Sequence, residues 1–389
     1  MNSASNDTGP ADRPADMDYA GRARELHRAC IVIDGHADTP TEFFLQPGYD
    51  FGARHDEGHI DLPRMREGGL DAEFFIAWVP AEYAERPGAS LEHALRLIQA
   101  IHGVVARTPG VRIATNADEI TAAAGAGEVA VLIGVEGGHA IENSLDNLRR
   151  FHELGVRYMT LTWNNTNDWA DACCSPPRHG GLTAFGRGVV REMNRLGMLV
   201  DVSHLAESAF WHVIDTTAAP IIASHSCARA LADHPRNLTD DQLRAIAASG
   251  GWIGVNFFPT FLDERYSAEY YRIEAEAAAM EDRLHREYGD RERARAEARA
   301  WSDAARATIP PVPIDTLVDH IEHIANVAGI DHVGLGSDFD GIKVLPSGIR
   351  HAGDLPRITE LLLQRGFDDD AVRKILGENF LRVFRAVAG

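Results

Sequence analysis

Eight short apolar runs, separated by amphipathic segments, constrain the fold of this 389-residue chain more than any other feature. They fall at residues 29–34, 72–79, 129–135, 156–162, 198–202, 219–223, 251–257 and 331–336. Most are apolar at every position, the pattern of parallel strands covered on both faces. The segments between them, such as "SLEHALRLIQAIHGVV" and "TAFGRGVVREMNRLG", carry apolar residues at helical spacing. "LTDDQLRAIAASG" adds Thr239 as an N-cap and Gly250 as a stop. Strands alternating with helices predict an α/β fold, a (β/α)8 TIM-like barrel. An open doubly wound sheet is the alternative, and no GxGxxG turn supports it.

One segment breaks the alternation. Residues 263–307 are rich in Ala, Glu and Arg with sparse apolar positions, and "IPPVP" follows them. They read as a helical insertion after the seventh strand, one or two long helices ended by the prolines. A solvated decoration is the expected role, and a contact with a second copy, as a homodimer, is the other reading. Residues 1–20 are polar and acidic with no apolar h-region, and read as a disordered lead rather than a signal peptide. Residues 21–389 form the barrel domain.

In such barrels the C-terminal ends of the strands build the active site. The first run leads into His36 and Asp38, the third into Glu136, the fourth into "LTWNNTND", the fifth into His204 and the sixth into His225. The seventh ends in Asn256, and the eighth leads into Asp338 and Asp340. A lone histidine is most often a hydrogen-bonded structural residue, and a lone glutamate a surface acid or helix cap. Imidazoles and carboxylates gathered at one rim are a different matter, because buried charges need a partner and a dication supplies one. His with carboxylates and no nearby Cys suit zinc, with manganese, cobalt or iron as alternatives. His36, Asp38, His204 and His225 are too many for one catalytic zinc that keeps a water position. Shared through Glu136, they make two three-ligand sites, hence two Zn2+ per chain. Asp34, one pleat away, is expected behind the ligands.

These residues sit within longer matches. "DGHADTP", "VEGGHAI", "LGVRYMTLTWNN", "GMLVDVSH", "IIASHS", "PRNLTDDQLRAI", "GLGSDFDG" and "ILGENFLRV" resemble the membrane (renal) dipeptidase family of the amidohydrolase superfamily, in order, from about residue 25 to 388. The resemblance implies a binuclear zinc barrel that hydrolyses dipeptides and tolerates a D-residue at the C-terminal side. It implies His36, Asp38 and Glu136 on one zinc and Glu136, His204 and His225 on the other. Arg236 would grip the substrate carboxylate. A metal-bridging hydroxide would attack the peptide carbonyl, and Asp338 would carry its proton to the leaving amine. Trp163 and Asn256 complete the expected substrate contacts. Trp163 stands where the mammalian enzymes carry a histidine that helps to polarise the carbonyl, and tryptophan cannot become a cation.

A different amidohydrolase, acting on another amide, a lactam or a lactone, is the competing reading. Many of those enzymes bridge their metals with a carbamylated lysine. The only lysines here are Lys343 and Lys374, neither at a suitable strand end, so Glu136 must bridge. The formal net charge of -20 excludes nucleic acid and anionic membrane surfaces as partners. A small dipeptide is the expected partner. Four cysteines, Cys30, Cys173, Cys174 and Cys227, fit neither a zinc ribbon nor a disulfide scaffold, and a reduced, cytoplasmic setting is expected. Cys173 and Cys174 read as incidental to the site.

Overall fold

The structure, a computed structural model, describes residues 18–389; most of the expected lead lies outside them, and its last residues already belong to a helix, Tyr19–Ala29. Nine strands follow in chain order: β1 Ile33–Ala37, β2 Ala72–Trp78, β3 Val111–Ile113, β4 Val129–Glu136, β5 Val156–Thr160, β6 Leu199–Asp201, β7 Ile222–Ala223, β8 Trp252–Val255 and β9 Val333–Leu335. All named pairings are parallel. Round the sheet the order is β2, β1, β9, β8, β7, β6, β5, β4, and pairing of β2 with β4 closes it into an eight-stranded barrel. The short strand β3 is additional. It pairs with Val129–Val131 at the start of β4, below the point where β5 takes over at Ile133.

Two expectations are corrected. The first strand is expected at 29–34, but the helix Tyr19–Ala29 claims its start, and β1 begins four residues later and ends three residues further on. Between Asp34 and Ala37 the register against β2 shifts, Asp34 facing Glu73 and Ala37 facing Phe75, so β1 carries an extra residue beside His36. A bulge of this kind re-aims side chains at a strand end. The strand β3 was not expected, because three residues reading Val-Arg-Ile between helices lack the length of an apolar run.

Apolar side chains fill the barrel from inside as well as out. Trp252 on β8 is fully buried, and its indole occupies space that glycines leave free. A Cβ at Gly35 would come within 2.6 Å of the ring, so only glycine fits on β1 beneath the site. The insertion is two helices, Glu264–Tyr288 and Arg291–Arg306, packed on each other and following β8, the seventh strand of the barrel proper. No helix of the described residues is long and apolar enough to cross a membrane.

Candidate metal centre and substrate cavity

The rim at the strand C-termini brings the expected residues together. Glu136, the last residue of β4, is buried at the centre. Its Oε1 lies 3.0 Å from His204 Nε2 and 3.4 Å from His225 Nε2, and its Oε2 lies 3.9 Å from His36 Nε2. On the far side of His36, Asp38 Oδ2 is 3.6 Å from the same nitrogen. Ligand atoms of His36, Glu136 and His225 form one compact group, and those of His36, Asp38 and Asp338 a second.

Hydrogen bonds on the opposite ring nitrogens decide what the Nε2 atoms offer. His225 Nδ1 lies 2.7 Å from Ser224 Oγ, and that hydroxyl spends its proton on Asp201 Oδ2 at 2.6 Å. His225 must therefore carry its proton on Nδ1. His204 Nδ1 faces the amide oxygen of Asn164 at 3.0 Å, which can only accept. His36 Nδ1 meets Tyr158 Oη at 2.8 Å, and Tyr158 donates to the carbonyl of Gly35. In each case the second nitrogen is held by a partner, the arrangement that orients a metal-bound imidazole. His204 Nε2 and His225 Nε2 stand 3.1 Å apart. With both protons on Nδ1 these are two lone pairs facing each other, a contact that repels unless a cation lies between them.

The electrostatics agree. Burial, and then neighbouring positive charge, holds His204 and His225 well below the ordinary imidazole range, so both are neutral. Burial pushes Glu136 well above the usual carboxylate range. Burial opposes a charge on His36 too, yet Glu136, Asp38 and Asp338 outweigh it and raise its pKa to about 9. The pocket calls for positive charge, and His36 Nε2, Asp38 Oδ1 and Glu136 Oε1 are buried without a hydrogen-bond partner. The donor set fits metal ions with nitrogen and oxygen ligands.

A cavity of about 770 Å3 opens over this group. Asp338 and Arg236 both line it. Arg236 is buried at 4% exposure. One guanidinium nitrogen, Nη2, donates to the His225 carbonyl at 3.1 Å, while Nε and Nη1 have no partner. An unpaired buried guanidinium is costly unless something anionic joins it. Trp163 is also at the wall, its indole edge-on to Trp78 with ring centres 5.0 Å apart. His204 and Asp338 hold left-handed backbone, φ 66° and 63°, strain of the sort that gathers at functional sites.

Three expectations change here. Asn256, expected as a substrate contact, is fully buried and absent from the cavity lining. Its Nδ2 donates to Asp338 Oδ2 at 2.9 Å and its Oδ1 accepts from Phe258 N, so it positions Asp338. Asp340 turns away and accepts from Thr39 Oγ1 and His59 N, each at 2.6 Å, tying loops together. Cys174 is not incidental in position, since it lines the cavity, with Cys173 Sγ 3.4 Å from its own sulfur. Tyr158, Ser224, Asn164 and Asp201, which hold the imidazoles, were not singled out from the sequence. An inward-facing tyrosine hydroxyl on a barrel strand is the signal that points to Tyr158, and the hydroxyl beside the histidine in "SHS" the one that points to Ser224.

Comparison with known proteins places this architecture. Dipeptidase 3 of Mus musculus is 32% identical over 375 residues, covering 94% of this chain and 66% of its own length. Dipeptidase 3 of Homo sapiens is 31% identical over 385 residues, covering 96% and 68%. The chain thus spans about two thirds of the length of these relatives. Among solved structures, the probable dipeptidase PvdM from Pseudomonas aeruginosa superposes with a TM-score of 0.83 at 27% identity, over 95% of this chain and 98% of that one. A metallopeptidase from Rhodobacter sphaeroides, bound to a phosphinate mimic of the dipeptide L-Ala-D-Ala, superposes with a TM-score of 0.75 at 28% identity, over 92% and 99%. The family model described as membrane dipeptidase, peptidase family M19, matches residues 20–389, and the chain belongs to that family.

Proposed function

We propose that this protein is a zinc-dependent dipeptidase that hydrolyses the peptide bond of dipeptides and accepts a D-residue at the C-terminal position. The observation that carries this reading is one cavity holding both a cluster of bare imidazole nitrogens around Glu136 and a buried, half-unpaired guanidinium. His36, Asp38 and Glu136 would hold one zinc, and Glu136, His204 and His225 the other. Such a pair of dications polarises a carbonyl and makes water nucleophilic at neutral pH. The chain's own residues do the rest. Arg236 binds the free C-terminal carboxylate through Nε and Nη1 and so fixes the scissile bond relative to the rim. Asn256 pins one oxygen of Asp338, which leaves the other to take the attacking water's proton and deliver it to the leaving amine. Trp163, with no basic nitrogen, walls the cavity and orients the substrate rather than supplying charge. Tolerance of a D-residue draws on the Rhodobacter sphaeroides relative, whose bound phosphinate mimics the dipeptide L-Ala-D-Ala.

The test is a library of L-Xaa-L-Xaa and L-Xaa-D-Xaa dipeptides, read by free amine release, with metal measured on the same protein. Hydrolysis of both stereochemical series at about two zinc ions per chain is the expected result. Turnover of lactams or lactones with none of dipeptides would refute it, as would full activity after exhaustive chelation.

A further inference from the structure

The inserted helix Glu264–Tyr288 reaches the cavity through Tyr271, which lines the same space as Arg236. The contact is specific. Tyr271 Oη lies 3.0 Å from His234 Nε2, and the two rings stack with centres 5.6 Å apart and planes 14° from parallel. His234 Nδ1 in turn accepts the backbone N–H of Arg236 at 3.1 Å. A ring nitrogen that accepts carries no proton, so His234 has its single proton on Nε2. Burial, then the nearby arginines, keeps this imidazole neutral, with its pKa down at about 4.

It follows that His234 donates to the tyrosine oxygen, and the proton of Tyr271 is not spent on His234. The buried hydroxyl of Thr260 is the other side-chain partner of the phenol, and like any hydroxyl it can donate as well as accept. With Thr260 donating to the phenol oxygen as His234 does, the Tyr271 O–H is available to an acceptor in the cavity. Arg236 lines the same cavity, with its Nε and Nη1 unpartnered. Phe261 closes the same end, its ring 5.3 Å from the guanidinium carbon.

We propose that Tyr271 is a second donor to the substrate's free carboxylate, acting beside Arg236, so that the insertion completes the end of the cavity that recognises a C-terminal carboxylate. This deepens the dipeptidase reading and rests on it. A hydrogen bond to a charged acceptor outweighs one to a neutral acceptor. The hydroxyl should thus discriminate a carboxylate from a carboxamide, whereas a merely structural tyrosine should not.

The experiment compares the wild type with Tyr271→Phe, which keeps the stacked ring. The probes are a phosphinate dipeptide mimic with a free C-terminal carboxylate and the same mimic as its primary carboxamide. Binding of the carboxylate form should weaken about tenfold in the variant, and that of the carboxamide by less than about threefold, with metal content and thermal midpoint unchanged. Equal weakening of both forms would make Tyr271 a support for the wall and overturn the inference, as would no weakening of either. If the wild type binds neither probe and cleaves no dipeptide, the dipeptidase reading falls and takes this one with it. Dipeptide turnover with unaltered discrimination in the variant removes only the role of Tyr271.

Discussion

At the scale of single residues, the chemistry rests on a few side chains whose neighbours leave them little freedom. Asp338 keeps a left-handed backbone that asparagine also tolerates. Asp338→Asn should therefore preserve the loop while losing the ability to accept a proton. Steady-state kinetics should show kcat down by roughly two to four decades with a small change in KM and unchanged zinc. Arg236→Ala removes the carboxylate anchor and should raise KM strongly while also eroding kcat, since the anchor orients the bond to be cut. Gly341 offers a subtler test. A Cβ there would collide with the carboxylates of both Asp38 and Asp338. Gly341→Ala should cut kcat/KM by at least about tenfold although it changes no reacting group, and a variant of wild-type activity would show that the two acids can part without harm. The clustered imidazole and carboxylate positions were legible because metal chemistry restricts which residue types can serve, and strand ends say where they gather. Asn256 was legible as a site residue but not in its role, because only geometry shows that Asp338 takes its amide. Tyr271 was hidden, lying in a segment whose composition reads as solvated helix.

Elements show why most of the barrel could be read in advance. A strand covered on both faces leaves a continuous apolar run, and β2, β4 and β5 match the runs expected for them within a few residues. The strand β7 is two residues long and β3 three; at that length, pairing partners rather than composition decide the structure. The helix Ile314–Ala328 carries a different kind of information in His320, which is fully buried. Its Nδ1 accepts from Ala228 N at 3.1 Å and its Nε2 donates to the Leu262 carbonyl at 3.1 Å, so the helix fastens two rim loops. A second proton would break the first of these bonds. Burial accordingly lowers its pKa to about 4, below the 6.5 of the unfolded chain. Between those values the unfolded state binds the extra proton, so the stabilisation is complete above pH 6.5 and is lost as pH falls towards 4. His320→Gln should be less stable at pH 7 yet lose less stability on acidification, by on the order of 2 kcal/mol, in denaturant titrations at pH 7 and 4.5. Ligand protonation affects both proteins alike, and parallel acid profiles would rule out His320 as the source.

For the molecule as a whole, a net charge of -20 surrounds a cavity that, on the proposed dipeptidase reading, admits small zwitterions. The field attracts cations and repels anions over about a Debye length. Raising ionic strength from 10 to 200 mM should therefore raise kcat/KM for dipeptides of net negative charge and lower it for those of net positive charge, with neutral ones nearly unaffected. Identical salt responses for all three would show that the surface field does not reach the cavity mouth. Chelation should also lower the thermal midpoint, by roughly 5 °C or more, because ions held by the proposed ligands on four strand ends would bind only the folded barrel. The imidazoles among those ligands are held from behind by Tyr158, Ser224 and Asn164, which makes the barrel a preshaped mould, closer to a macrocyclic chelator than to a loop that wraps an ion. A mould grades its guests by size and donor preference, and neighbouring first-row dications differ little in either. Which ion a given preparation carries should then follow supply: protein refilled with cobalt or manganese should also cleave dipeptides, and the medium in which the cells grew should leave its signature in the enzyme's rate.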